Sequence, residues 1–310
     1  MTTQMRTRVV LLLALSCLLG TGTQITAAQS PVIPIVDPDG TVVGNIEVVA
    51  WSDSGAAANP TGTCCQIGYA PMTVTINAIS DLTVDLATFW AFDTANQKAV
   101  TKMPDRGTPA TGIVEVPAGT STSISVVFLT QSLGYTDGGT HVARVVWQRG
   151  TTNLIRLISE IDPIPPGTEV IIHVSDERLL GTMTVIALND PLTEIRQSAM
   201  APKGQRTIGL TIAITVGPEE DLSITQYDFI LVDEEGRIWE ANDEVIRLNR
   251  VRHGVPDLNQ TTLIGPGESW TGFLGFRVPE DAGITDVYYR ALPQSYNGLL
   301  QPIVHIEAAD

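Results

Sequence analysis

Two adjacent cysteines, Cys64 and Cys65, are the most reactive side chains in the body of the chain, within Asn59-Pro60-Thr61-Gly62-Thr63-Cys64-Cys65-Gln66. The third cysteine, Cys17, belongs to the first 28 residues. In an oxidising compartment a thiol ordinarily finds a partner. A bond between neighbours, however, closes a small strained ring and staples no distant segments. A vicinal disulfide, a bond to another molecule and free thiols all stay open, and the nearby residues supply no ligands for a copper or redox role.

Carboxylates suggest calcium at two places. Asp37-Pro38-Asp39-Gly40 begins like an Asp-x-Asp-Gly loop, and Asp233-Glu234-Glu235 with Glu240, Asp243 and Glu244 concentrates charge around one hairpin. Asp37, Asp39, Asp233 and Glu235 are therefore the metal candidates. Neither stretch completes an EF-hand, which needs a bidentate Glu at the end of its loop. Turn chemistry is the competing reading, because Asp, Pro and Gly build tight turns on their own account.

His141, His173, His253 and His305 are dispersed, without the short spacing of a local metal pair. Strand positions for His141, His173 and His305 point to structural imidazoles. No Gly-x-Ser-x-Gly elbow, Ser-x-x-Lys pair, phosphate loop or dinucleotide fingerprint appears, so the reading is non-enzymatic, with no catalytic residue and no cofactor. Tyr69, Tyr135 and Tyr296 fall in expected loops and offer a stacking surface for a sugar or peptide. Trp51, Trp90, Trp147, Trp239 and Trp270 follow strand patterns and are expected in or near the core. Consecutive strand residues Tyr288 and Tyr289 point to opposite faces, which predicts that one is exposed.

The elements that carry these residues are written twice. Gly44-Asn45-Ile46-Glu47-Val48-Val49-Ala50-Trp51-Ser52-Asp53 matches the stretch from Gly181 to Asp190, with Gly44/Gly181, Val48/Val185, Ala50/Ala187 and Asp53/Asp190 identical. Asp81 to Asp93 lies over Asp221 to Asp233 with Leu82/Leu222 and Phe89/Phe229 matched. Val116 to Phe128 lies over Ile264 to Phe276 with Gly119/Gly267 and Ser121/Ser269 matched. Apolar residues alternate in both copies, Met72, Val74, Ile76 and Ala78 in the first and Leu210, Ile212, Ile214 and Val216 in the second. That is the period of strands with one buried face. With turn signals such as Glu234-Glu235-Gly236 and Pro266-Gly267 between short strands, the expectation is all-β: two tandem antiparallel β-sandwiches of immunoglobulin form. Their bounds are 31–162 and 168–310, joined by a Pro-rich linker over 163–167.

Within the second copy, Tyr227-Asp228-Phe229-Ile230-Leu231-Val232-Asp233-Glu234-Glu235-Gly236 precedes a Pro266-Gly267-Glu268-Ser269 turn that leads into Phe276-Arg277-Val278-Pro279. Over roughly 205–290 this resembles the telokin-like, immunoglobulin-like domain of unknown function found in bacterial secreted proteins and lipoproteins. The first copy lacks the hairpin Gly after Asp93 and the Val-Pro after its Phe128 strand, so it joins the resemblance through the internal repeat. The resemblance implies a non-catalytic extracellular domain and carries no catalytic residues over.

The first 28 residues place Arg6 and Arg8 ahead of an apolar run from Val9 to Leu19 and end in Thr26-Ala27-Ala28, the layout of a secretory signal peptide. Cys17 is a poorer match to a lipidation site, which would tether the protein to a membrane. No stretch reaches the roughly 20 apolar residues of a spanning helix. The expected location is secreted, periplasmic or at the cell surface. Loss of Arg6 and Arg8 takes the formal charge from -16 to -18, a surface that repels nucleic acid and anionic lipid. The partner expected is a protein or a glycan, through loops or sheet faces, with a structural spacer as the alternative. A lone glycosylation sequon, Asn259-Gln260-Thr261, is read as silent.

Overall fold

The computed structural model describes residues 32–37, 39–51, 67–93, 112–131, 142–159, 163–175, 178–193, 201–249, 256–258, 261–290 and 300–306. The chain is all-β, and the strands within each sheet pair antiparallel, with one isolated parallel bridge from Asp257 to Phe273 among the described residues.

In the first copy, β1 (Ile33–Val36), β2 (Val42–Trp51), β3 (Ile67–Ala78) and β7 (Ser121–Gln131) form one sheet in the order β1-β2-β3-β7. A second sheet runs β5-β8-β9, from β5 (Phe89–Asp93), β8 (Val142–Arg149) and β9 (Asn153–Ser159). The short pair β4 (Leu82–Asp85) and β6 (Ile113–Val116) closes one side. Their inward residues, among them Ile46, Val74, Ile76, Phe89, Val145 and Trp147, make one core. Alternation places them there: successive strand residues point to opposite faces, and the apolar set is the one removed from water.

The second copy repeats the order. The sheet β10-β11-β12-β17 is built from β10 (Glu169–Ser175), β11 (Arg178–Asn189), β12 (Gln205–Val216) and β17 (Ser269–Pro279). The other runs β15-β14-β18-β19, from β14 (Phe229–Asp233), β15 (Ile238–Glu240), β18 (Ile284–Arg290) and β19 (Leu300–His305), and the short pair is β13 (Leu222–Ile224) with β16 (Thr262–Ile264). Its core contains Met183, Ile212, Phe229, Leu274, Val287 and Tyr289. A helix of just under two turns, α1 (Asp243–Asn249), packs on β17; no helical period in the sequence announces it.

The repeat extends to irregularities. Register shifts fall after Ile35 and Ile172, across Val48–Ala50 and Val185–Ala187, after Phe92 and Val232, and after Val145 and Val287. A bulge re-aims every following side chain, so it must sit at the same place if the same core is to be filled. Gly44 and Gly181 recur because a Cβ would lie 2.7 Å from the Asn77 carbonyl oxygen in one copy and 2.1 Å from that of Thr215 in the other. The buried ring pairs are equivalent too: Phe89 stacks on Trp147 at 5.7 Å between centroids, and Phe229 meets Tyr289 at 5.5 Å.

The expected Asp37–Gly40 turn is present, closed by Gly40 N–H donating to the Asp37 carbonyl at 2.8 Å. Tyr69, expected in a loop, lies in β3. Among the described residues no helix is long and apolar enough to cross a membrane, a statement that leaves β-barrels aside.

Candidate functional site

Tyr288 and Tyr289 correct the expectation that one of the two is exposed, since their relative exposures are 0% and 2%. They do point to opposite faces. Tyr289 enters the second core, while Tyr288 leaves the outer face of its sheet and is covered by the first copy. A third apolar cluster results, combining Phe92, Val146 and Leu154 with Ile230, Val232, Ile238, Tyr288 and Leu300. Phe92 and Tyr288 are 6.5 Å apart between ring centroids. Complete burial of such side chains contributes about 1.5–3 kcal/mol each, so the apolar contact supplies the drive for docking.

Backbone hydrogen bonds seam the edge of this junction. Leu154 N–H donates to the Gly236 carbonyl at 2.6 Å, and Ile238 N–H donates to that of Thr152 at 2.7 Å. Gly236 is the turn residue of the Asp233–Gly236 hairpin, with φ +78°. A Cβ there would stand 2.5 Å from the Leu154 carbonyl oxygen, so both the turn and the docking require glycine. In the linker, Ile164 exchanges backbone hydrogen bonds with His305 at 2.9 and 3.1 Å, which ties the connection down on β19.

Inside the junction sits a buried polar cluster centred on Asp286, which is fully buried. Arg144 of β8 donates through Nη1 to Asp286 Oδ1 at 2.9 Å and to the Tyr288 hydroxyl at 3.0 Å. His305 Nδ1 lies 2.9 Å from Asp286 Oδ1, Thr285 Oγ1 donates to Oδ2 at 3.0 Å, and Arg156 Nη1 reaches Oδ2 at 3.4 Å. Burial pushes the Asp286 carboxyl up, but the His305 hydrogen bond with the Arg144 and Arg156 charges outweighs it and holds the carboxyl below its usual range. Burial pushes the Tyr288 hydroxyl up to about 12. Arg144 is fully buried, with Nε and Nη2 unpaired among the described residues. A charged pair so placed stabilises little over an apolar one, yet it is expensive to split.

The calcium candidates have polar partners of their own. Asp37 accepts from Arg149, and Asp39 Oδ1 accepts from Thr41 N–H at 2.9 Å, the bond of a tight turn. Fully buried Asp233 accepts from Arg237 N–H at 2.8 Å, Arg237 Nε at 2.7 Å and Trp239 Nε1 at 2.9 Å. Glu235 pairs with the same Arg237 at 3.1 Å. Glu244 holds Arg277 at 2.6 Å, Glu240 lies 3.7 Å from Arg290, and Asp243 accepts from Gln226. Among the described residues no three His, Cys, Asp or Glu side chains are grouped to hold a metal ion.

Cys17, Cys64, Cys65, Tyr135, Tyr296, His141, His253 and the residues Asn259 and Gln260 of the sequon lie outside the described residues, as does the expected leader over 1–28. The side chains of Tyr69 and His173 do as well. Trp147 is fully buried, and Trp51, Trp90, Trp239 and Trp270 are partly buried. Sequence reasoning missed Arg144 and Asp286. Their signal was a charge set inside an apolar run, Val142-Ala143-Arg144-Val145-Val146-Trp147 and Ile284-Thr285-Asp286-Val287-Tyr288-Tyr289.

Facing away from the cores, the four-stranded sheets carry ladders of small polar side chains. Thr73 lies 3.3 Å from Ser125 and Thr75 lies 3.1 Å from Ser123 between hydroxyls, and Asn77 Nδ2 donates to Asn45 Oδ1 at 2.8 Å. In the second copy Thr215 and Ser269 are 2.9 Å apart. These cross-strand pairs leave hydroxyl and amide groups facing water, able to hydrogen-bond a polar partner.

No protein-family model and no curated protein sequence matches the chain. Among solved structures it is similar to the YjhA protein from Bacillus subtilis at 13% identity, over 41% of this chain and 79% of that one, with a TM-score of 0.29. A likeness that slight supports no inference about fold or activity.

Proposed function

We propose that the protein is an exported, non-enzymatic pair of immunoglobulin-like β-sandwiches, of the telokin-like kind, that binds a protein or glycan partner at or outside the cell envelope. The supporting observation is how the sheet faces are used. Each copy spends the outer face of its β5-β8-β9 or β14-β18-β19 sheet on the other, and the charged side chains there join the copies in a water-shielded cluster. The outward hydroxyl ladders on β3 and β7 and on β12 and β17 stay available, displayed on a stiff scaffold. Recognition elements presented from a preformed framework lose little entropy on binding.

The buried junction favours a second reading, a spacer that holds its two ends at a set angle. Thermal unfolding of the chain from Gln29 to Asp310 separates the two. A ligand that binds the folded state alone raises the midpoint in proportion to the logarithm of its concentration over Kd. The binding reading expects such a rise with one of a panel of cell-wall and plant polysaccharides, or with calcium, and loss of the rise when Thr73 and Thr75 are both replaced by Val. The absence of any rise across polysaccharides, metal ions and candidate envelope proteins selects the spacer.

A further inference from the structure

We infer that the junction is a quasi-twofold contact between equivalent faces, and that the charge pair formed by two equivalent positions, Arg144 against Asp286, makes the first copy fit the second while neither fits itself. The equivalence comes from register. Arg144 is the Cα partner of Phe92 on β5, and Asp286 is the partner of Val232 on β14, each one residue before the matched bulge. Counting along the same strands makes Val146 equivalent to Tyr288, and the ladder partners Gln148–Leu154 and Arg290–Leu300 make Leu154 equivalent to Leu300.

The buried cluster therefore takes Phe92 with Val232, Val146 with Tyr288, and Leu154 with Leu300, the same three positions from each side. That is the signature of an isologous interface, where one patch meets its own counterpart. In such an interface a residue that touches its own equivalent sits on the axis. Arg144 and Asp286 do so at 2.9 Å, with both side chains fully buried.

Self-pairing of the first copy would set Arg144 against a second Arg144, and self-pairing of the second would set Asp286 against a second Asp286. Like charges sealed away from water repel strongly, so the apolar positions that both copies present are admitted only in the unlike combination. The remaining polar groups facing the pair are Arg156, His305, Thr285 and Tyr288, and three of them steady the acid: His305 and Thr285 by hydrogen bonds, Arg156 by its charge. This selection holds whatever partner the exposed faces bind.

The test is hydrogen exchange in the full chain at the Leu154 and Ile238 amides, whose bonds cross the junction, with the Val74 and Ile212 amides as reporters of each core. Arg144→Asp and Asp286→Arg each create a like-charged axis. Each is expected to speed exchange at Leu154 and Ile238 by at least about tenfold while Val74 and Ile212 stay protected, as for a local opening. The double reversal, Arg144→Asp with Asp286→Arg, restores an unlike pair and is expected to exchange more slowly than either single variant. Unchanged exchange in the single variants, or a double reversal as fast as the faster single, overturns the inference.

The pair Arg144→Leu with Asp286→Leu covers the case in which a reversal unfolds a copy. Two leucines carry no charge and fit an isologous contact, so junction protection is expected to persist. Exchange at Leu154 and Ile238 tenfold above the unsubstituted chain in that variant would show the ion pair to be glue and would overturn its role as selector.

Discussion

The two copies share strand order, bulge positions and buried ring pairs, and they differ at the ends of their strands. In the second copy Arg206 ties one end together. It pairs with both carboxylate oxygens of Asp190 at 2.6 and 2.9 Å and donates to the carbonyls of Pro279 and Glu280 at 2.7 Å and of Ala282 at 2.5 Å. The first copy keeps the aspartate, as Asp53, but has Gly68 at the position of Arg206. It likewise has Asn96 where the second has Gly236. What persists is what the interior demands, because a bulge or core side chain cannot move without refilling a close-packed space. What diverged in sequence are residues at the loop ends, where the second copy satisfies backbone carbonyls through Arg206 and the first has no arginine at that position.

Substitution at the junction costs the molecule most. Arg144→Ala leaves Asp286 buried with its β8 partner gone, and unfolding in urea is expected to show a loss of about 3–5 kcal/mol. If the loss is below about 1 kcal/mol, the cluster tolerates water and the copies are less tightly joined than the buried pair implies.

Next in size is Arg206→Ala. Five charge-assisted hydrogen bonds disappear from the second copy, for an expected cost of about 1.5–3 kcal/mol, and exchange should quicken first at the Leu192 and Glu280 amides. The converse change, Gly68→Arg in the first copy, tests whether Asp53 retains the geometry to accept such a clamp. Formation of the pair would appear as a gain in stability that vanishes on adding Asp53→Asn.

Gly236→Ala follows, with about 1–2 kcal/mol of left-handed backbone strain. Its signature is placement: the Leu154 amide should lose protection while the two cores keep theirs. A uniform loss would mean that the hairpin, and not its docking, required the glycine.

The smallest effect contrasts two carboxylates by pH. Burial holds the Asp228 carboxyl above its ordinary value, with the Thr225 hydrogen bonds and the Arg290 charge opposing it. A folded-state pKa above the unfolded one contributes stability below the unfolded value, and that contribution is lost as pH rises through the folded value. Asp228→Asn should therefore stabilise at pH 7 relative to its effect below about pH 4, where both states carry the proton. Asp286 has the opposite sign. Its folded pKa is depressed, so its contribution is present above the unfolded Asp value and fades as pH falls through the folded one. Stability curves of Asp228→Asn and Asp286→Asn against pH should diverge in opposite directions on acidification.

Much of the fold was legible because β-structure writes its period into the sequence. Alternation over Met72 to Ala78 and over Leu210 to Val216 announced half-buried strands, and both segments pair as central strands of their sheets. Gly44 and Gly181 stood out as a repeat before the close carbonyls explained them. The helix α1 was not legible, since seven residues span under two turns, too few to show a period. Tyr69, expected in a loop, lies in a strand because pairing with β7 runs through Gly68, Tyr69 and Pro71 alike.

The amino-acid sequence by itself determined the strand period, the duplication and the acidic balance, because each is a property of residue type and spacing along the chain. Tertiary structure alone decided what the outward faces meet. Alternation predicts one exposed residue of the Tyr288-Tyr289 pair, and only the docking of one sheet on another removes Tyr288, together with Phe92 and Leu154, from water. The same holds for Arg144 and Asp286. Each is a lone charge in an apolar run until two faces related by near-twofold symmetry bring equivalent positions together, and a contact across 142 residues of chain leaves no local pattern to read.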